Sequence, residues 1–344
     1  MYPFVVLSRF FPNALKNLIS MKALLIQKYG TPEDVLYTGE APKPIPKAKE
    51  LLILIKATTV NDYDWSLVRG KPYVYRLAFG LTKPRSPIPG MEVSGVVESI
   101  GQEVSNFQEG DEVFGDTSES GFGTFAEYIC LDEKSLLKKP QDISFEEAVS
   151  LPHASALAYQ SLIKIAKIKH GQKILINGGG GGVGSIGLQL AKLHQCEVTG
   201  VDSKDKHGTM LNLGYDHVID YRETNFTKAG ERYDVILDCR TNKPALSYLR
   251  ALKSNGIYVT IGGTPAKLIA MLFWGLFAKP LTPKRLRILA LKPNEHVLDV
   301  VDLIREGKIV YTIDGPYPFE EAPRLIQYFG NCKHKGKVVV SIDA

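Results

Sequence analysis

The sequence predicts an α/β protein of two domains, a β-rich barrel-like first half and a doubly wound parallel sheet in the second. Three observations carry this expectation. The 344 residues exceed the length at which a single apolar core keeps growing. From Met21 to about residue 140, short apolar strands alternate with proline and glycine clusters. After residue 143 the apolar spacing becomes helical, and strands and helices then alternate, the order that gives a parallel sheet with helices on both faces.

Residues 1–20 are an extension carrying Arg9 and Lys16, no acid, and an apolar run broken by Arg9 and Pro12. This is a poor secretory signal. Its lack of acids resembles an organellar presequence, whereas Met21 opens a natural-looking strand, Met-Lys-Ala-Leu-Leu-Ile, that suits a start at that methionine. Further strands are expected at 23–26, 51–57 and 93–100, with turn and strand punctuation at 90–95 and 107–115. A helix with the acidic start Glu146 and Glu147 is expected over 145–168. Strands at 173–177, 197–201, 217–220, 233–239 and 256–262 then alternate with helices at 183–194, 206–213 and 244–252. A helix at 295–306 and a closing strand, helix and strand complete the chain, and the tail from 309 is expected to rejoin the first domain. This gives an extension 1–20, a first domain 21–143 completed by 309–344, and a second domain 144–308.

With 44% hydrophobic and 23% charged residues the chain has the make-up of an ordinary globular protein. A formal charge of +5, from 42 basic against 37 acidic residues, gives no reason to expect nucleic acid but favours an anionic ligand such as a dinucleotide phosphate. Cys130, Cys196, Cys239 and Cys332 lie far apart, so neither a close-spaced zinc pattern nor a disulfide framework is present, and a reducing cytoplasmic setting is expected.

Residues 177–184 read Asn-Gly-Gly-Gly-Gly-Gly-Val-Gly between a buried-strand pattern and an amphipathic helix. A Gly-x-Gly-x-x-Gly match falls on Gly179, Gly181 and Gly184, with Gly182 and Val183 inside it. Such a loop makes a tight turn, lets backbone approach a pyrophosphate, and points a helix N-terminus at negative charge. The other reading is a flexible glycine-rich loop, which does not explain the strand, loop, helix and strand in order. Asp202 follows at the end of the next strand, 23 positions after Gly179. An acid there would hold ribose hydroxyls and repel a 2′-phosphate, favouring NADH, while Ser203, Lys204 and Lys206 would attract one, favouring NADPH.

With these motifs in place, residues 21–344 resemble the medium-chain dehydrogenase/reductase superfamily, in its quinone oxidoreductase-like branch. The resemblance rests on Val60-Asn61-Asp62-Tyr63-Asp64-Trp65, on Pro89 to Val97, on Gly110 to Gly115, on Gly121 to Tyr128, and on Gly181-Gly182-Val183-Gly184. It implies a GroES-like barrel for the first domain, a Rossmann domain for the second, a cofactor cleft where they meet, and a homodimer. It also implies a 2′-phosphate site at Lys206 and Tyr221, helped by Lys335, and so leans to NADPH over NADH. Zinc-dependent members carry a cysteine near Asn61 to Asp64, a Gly-His-Glu motif and a four-cysteine lobe. Here the motif is Gly90-Met91-Glu92 and no cysteine precedes Cys130, so no zinc is expected.

Without a metal, hydrogen bonds must stabilise charge on the substrate oxygen while the nicotinamide supplies hydride. Asn61 and Tyr63 are the candidate donors. Asn61 also reads as an ordinary strand-end asparagine, and Tyr63 as a core or rim side chain. The expected function is NAD(P)H-dependent reduction of quinones or α,β-unsaturated carbonyls. The alternatives are a zinc-free alcohol or aldehyde oxidoreductase and a catalytically silent nucleotide-binding module. Residues 268–278, apolar throughout, are too short to span a bilayer. Their candidate roles are a lid over an apolar substrate, a dimer interface, or a shallow contact with a membrane surface.

Overall fold

A computed structural model describes residues 20–277 and 282–342. The extension lies outside the described residues, apart from Ser20, as does Ala278 at the end of the apolar segment. The described chain falls into two compact units. The first runs to Val149 and takes in Gly315–Lys333 and the chain from Val338, and the second is Ser150–Asp314 with His334–Lys337.

The first unit opens with β1 (Ser20–Ile26) and β2 (Leu36–Pro42), an antiparallel pair. It continues with β3 (Glu50–Thr59), α1 (Asp62–Arg69), β4 (Glu92–Ile100), β5 (Glu112–Asp116), β6 (Tyr128–Asp132), β7 (Leu137–Lys138) and α2 (Phe145–Val149). The long strand β3 reads Glu-Leu-Leu-Ile-Leu-Ile-Lys-Ala-Thr-Thr, β-branched and apolar, and is buried along most of its length because it pairs with both β4 and β6. Leu51, Ile53 and Ile55 form the centre of the apolar core with Val93, Val97, Phe125 and Leu325.

The chain then enters the second unit. The helix expected over 145–168 is interrupted: α2 ends at Val149 and α3 (Pro152–Tyr159) restarts on Pro152. Pro152 has no N–H to donate back to Ala148 O and its fixed φ suits a first helical turn, so the helical hydrogen bonding is interrupted there and a new helix starts. A π-helical turn, Gln160–Ala166, extends α3 until Lys167 turns left-handed at φ 52°.

Next come β8 (Lys173–Asn177), α4 (Gly182–Leu193), β9 (Glu197–Asp202), α5 (His207–Leu213), β10 (His217–Asp220), β11 (Tyr233–Asp238), α6 (Ala245–Ala251), β12 (Leu252–Thr260), α7 (Pro265–Phe277), β13 (Arg285–Ile288) and α8 (Val297–Arg305). The six strands form one parallel sheet in the order β10-β9-β8-β11-β12-β13. This is the Rossmann order, reversing direction between β8 and β11. The expected alternating fold is present, but the edge strand β13 was absent from the sequence-based assignment. Its Arg-Leu-Arg-Ile alternates exposed arginine with buried leucine, so it carries no continuous apolar run to mark it.

Finally β14 (Ile313–Pro318), α9 (Ala322–Gly330) and β15 (Lys337–Ser341) bring the tail back, with β15 antiparallel to β3. Among the described residues no helix is long and apolar enough to cross a membrane.

Candidate functional site

In the second unit, the loop after β8 lies beyond the carboxyl ends of the parallel strands, where open α/β sheets bind ligands. Gly178 turns the chain with φ +93°, a conformation that side chains with a Cβ rarely adopt. Gly178 and Gly179 then donate to the carbonyl of Val201, at 2.9 and 3.1 Å, tying the loop to the end of β9. Gly181 caps α4 in extended geometry, and Gly181, Gly182 and Val183 are half-buried while Gly184 is buried. The first N–H groups of α4 have no carbonyl partner within the helix, and the positive end of the helix dipole faces the loop.

Close packing explains the other glycines. A Cβ on Gly184 would lie 2.5 Å from the carbonyl oxygens of Gly178 and Gly179, and one on Gly180 would lie 2.6 Å from Lys206 Cδ. Tyr215, fully buried, sets its hydroxyl 3.1 Å from the Gly179 carbonyl and 3.0 Å from that of Gly184, bracing both ends of the turn. Burial holds its phenol well above the ordinary tyrosine pKa, so it stays a donor.

Asp202 is buried with its carboxylate turned toward the loop: Oδ2 accepts from Gly180 N at 3.0 Å and Oδ1 from Ser203 N at 2.9 Å. Lys206 Nζ lies 3.4 Å from Asp202 Oδ1, and its side chain is buried. Parallel pairing of β9 with β10 sets Asp220 against Asp202, so Ser203 and Lys206 follow one strand end and Tyr221 follows its neighbour. Tyr221 is exposed and stacks under the Arg222 guanidinium at 5.4 Å. Arg222 was not singled out by sequence.

Lys335 reaches the same loop through the returning tail. Gly336 donates to the Gly180 carbonyl at 3.0 Å, Lys335 N donates to Asp314 Oδ2 at 2.8 Å, and the Lys335 side chain is exposed. Lys337, which sequence reasoning missed, is buried beside the loop: a Cβ on Gly182 would lie 3.5 Å from its Cβ and Cδ. Thus Gly179, Gly181, Gly182, Val183, Gly184, Asp202, Ser203, Lys206, Tyr221 and Lys335 converge at one end of one sheet.

Asp238 at the end of β11 completes this floor. Fully buried, it accepts from Asn177 Nδ2 (2.8 Å), Arg240 N (3.0 Å), Thr241 N (2.8 Å) and the Tyr258 hydroxyl (2.7 Å). No local motif announces it.

In the first unit, Asn61 and Tyr63 lie at the start of α1. Asp64 anchors that turn, accepting from Asn61 N and Gly90 N, each at 2.8 Å. The buried Asn61 amide donates to Thr59 Oγ1 at 3.0 Å and Glu92 Oε2 at 2.9 Å, and Thr59 also donates to Glu92. Glu92 is fully buried, so these donors are what allow its carboxylate to remain there. Replacing Asn61 with alanine is therefore expected to cost about 2 kcal/mol of stability, because a buried acceptor loses a donor. A chemical-denaturation midpoint equal to the parent's would show that Glu92 does not depend on Asn61.

Tyr63 is exposed and packs on Phe122 at 6.0 Å, which meets Phe79 edge-on at 5.6 Å, and Phe79 in turn meets Tyr75. Although part of the side chain reaches solvent, the packing around it desolvates the phenol and, with Tyr75, Asp116 and Asp62 nearby, lifts its pKa above the ordinary tyrosine value, so it bears its proton at neutral pH. The Gly90-Met91-Glu92 turn does not fit a catalytic zinc. Met91 offers a thioether where an imidazole would be needed, and Glu92 is held by Thr59 and Asn61. Among the described residues no group of three or more His, Cys, Asp or Glu could hold a metal ion.

Residues 47–141 match the alcohol dehydrogenase GroES-like domain family, and residues 213–340 match a family described as zinc-binding dehydrogenase. The chain is 31% identical to the 2-methylene-furan-3-one reductase of Solanum lycopersicum over 93% of this chain and 79% of that protein. It is 32% identical to the chloroplast envelope quinone oxidoreductase homolog of Arabidopsis thaliana, over 88% of this chain and 92% of that one. The solved quinone oxidoreductase of Coxiella burnetii superposes with a TM-score of 0.82 at 27% identity, covering 94% of this chain and all of its own.

Proposed function

Because the chain belongs to the quinone oxidoreductase-like branch of the medium-chain dehydrogenase/reductase superfamily, whose members are nicotinamide-dependent oxidoreductases, we propose that it reduces quinones or α,β-unsaturated carbonyls, with NADPH as the preferred donor. The observation that carries the preference is the state of Asp202. Its carboxylate is already engaged by Gly180 N, Ser203 N and Lys206, so its charge is offset and would repel a 2′-phosphate less. Around it stand Ser203, Lys206, Tyr221 and Arg222, a hydroxyl, phenol and cation set suited to a 2′-phosphate.

The cofactor, when bound, supplies hydride to an electrophilic carbon of the conjugated substrate. The α4 N-terminus with Gly181, Gly182, Val183 and Gly184 holds the pyrophosphate, and Lys337 and Lys335 add positive charge beside it. Asn61, its amide oriented by Thr59 and Glu92, positions the reactants, and the protonated Tyr63 donates a hydrogen bond to the substrate oxygen as negative charge develops there. Zinc takes no part in this scheme, as the donor residues do not suit it.

Equilibrium titration with NADPH and NADH, followed by cofactor oxidation on a panel of quinones, enones and aldehydes, tests the reading. Arg222→Ala and Lys206→Ala are each expected to weaken NADPH about tenfold or more while changing NADH by less than about threefold. An equal loss for both cofactors would reduce the two cations to supports of the loop. Binding without turnover on any substrate would favour the silent nucleotide-binding module. Oxidation by aldehydes alone would favour the alcohol or aldehyde enzyme.

A further inference from the structure

We propose, resting on the cofactor reading above, that Arg240 carries the adenine ring of the nicotinamide cofactor on the plane of its guanidinium. Arg240 follows β11, which pairs with β8 on the side opposite β9. Its stem fills the space that a side chain at the first turn of the glycine loop would take. A Cβ on Gly178 would stand 3.2 Å from Arg240 Cγ and 3.5 Å from Cδ. The guanidinium lies beyond that packed stem, and the residue as a whole is exposed. An arginine with its aliphatic part packed and its flat head at the surface has the form that stacks on an aromatic face.

The backbone beneath this side chain is pinned on both sides. Cys239 N donates to the Asn177 carbonyl at 2.9 Å, which ties the ends of β11 and β8 together. Arg240 N and Thr241 N both donate to Asp238 Oδ1, at 3.0 and 2.8 Å. Thr241 is buried and β-branched, yet it is left-handed at φ 42°. Its hydroxyl lies 2.6 Å from Thr260 Oγ1 and bonds the Gly262 carbonyl, and Lys267 Nζ donates to its own carbonyl at 2.8 Å. Such a conformation persists only where its surroundings hold it, and residues of this kind gather at ligand clamps. The kink at Thr241 turns the chain directly after Arg240, so the arginine is in place before a ligand arrives.

Strand spacing selects the part of the cofactor that lies there. With the 2′-phosphate held by Ser203, Lys206 and Tyr221 after β9 and β10, and the pyrophosphate at the α4 N-terminus, the adenosine ribose lies past the end of β9. Only β8 separates β9 from β11, so two steps of about 4.8 Å put their ends about 10 Å apart. The adenine hangs from the ribose carbon next to the one that bears the 2′-phosphate. A purine reaching from that carbon across Gly178 meets Arg240 on the far side of β8.

The test is equilibrium binding of NADPH, NADH and adenosine 2′,5′-bisphosphate, which has the adenine and no nicotinamide, to the full chain and its Arg240 variants. Arg240→Ala is expected to weaken all three about tenfold, the loss of one stacked base, whereas Arg222→Ala and Lys206→Ala act through the 2′-phosphate. Arg240→Tyr exchanges one flat surface for another and is expected to stay within about threefold of the parent. Arg240→Lys keeps the charge without the plane and is expected to bind as poorly as Arg240→Ala. Arg240→Gln carries the same test if the alanine variant fails to fold. Affinity restored by lysine and not by tyrosine would make Arg240 a phosphate contact and overturn the proposal. A loss confined to NADPH, affinities unchanged in Arg240→Ala, or a parent that binds none of the three nucleotides would also overturn it. Affinity is read without turnover, so absence of reductase activity and failure of this proposal are told apart.

Discussion

Replacing Gly184 with alanine is expected to weaken nicotinamide cofactor binding by more than about 100-fold and to lower stability by about 2–3 kcal/mol. The added Cβ would sit 2.5 Å from two backbone carbonyl oxygens, those of Gly178 and Gly179, a separation that real Cβ atoms essentially never show. Neither oxygen belongs to a flexible side chain, so the start of α4 must move away from the loop. The Tyr215 hydroxyl, which reaches the carbonyls of Gly179 and Gly184 together, would lose one of them. Cofactor fluorescence titration and thermal unfolding read the two effects. Gly208→Ala is the matched control, because its Cβ would meet nothing within 4 Å and the helix should gain slightly from alanine. Cofactor affinity in Gly184→Ala within a few-fold of the parent would mean that the loop opens freely and is not the rigid cradle described above.

Asp238→Ala is expected to destabilise the second unit by more than about 3 kcal/mol, lowering its thermal midpoint by about 6–10 °C. The carboxylate satisfies four donors in a site with no solvent exposure, and removing it leaves Asn177 Nδ2, two backbone N–H groups and a tyrosine hydroxyl without that acceptor. Asp238→Asn is expected to be nearly as damaging, because an amide turns one acceptor into a donor facing other donors. Circular dichroism melts with and without saturating cofactor separate the contributions: ligand should restore part of the midpoint by mass action if the loop still forms. A shift below about 2 °C would show that the cavity admits water in place of the carboxylate.

Much of the sheet was readable because its buried strands are short apolar runs separated by turn residues. The runs over 173–177 and 217–220 coincide with β8 and β10, and the glycine run lies between β8 and α4 as its context led one to expect. Where the pattern was mixed, reading failed for physical reasons. Edge strand β13 is half arginine, and the helical stretch over 145–168 hides a break that Pro152 imposes.

The sequence by itself determined that there would be a parallel α/β sheet with a glycine loop at its first strand, since both follow from local periodicity and from backbone freedom at glycine. It could not decide what Asp202 does, because holding ribose, repelling a phosphate and bracing a loop all suit an acid at that position. What only the tertiary structure shows is that both carboxylate oxygens accept from the loop, Oδ2 from Gly180 N and Oδ1 from Ser203 N, with Lys206 beside them. It alone also brought in Tyr215, Asp238 and Lys337, which stand far along the chain from the loop and meet it only when the strands align. Such contacts leave no periodic trace in sequence, since a hydrogen bond between distant residues constrains only two positions and no spacing between them.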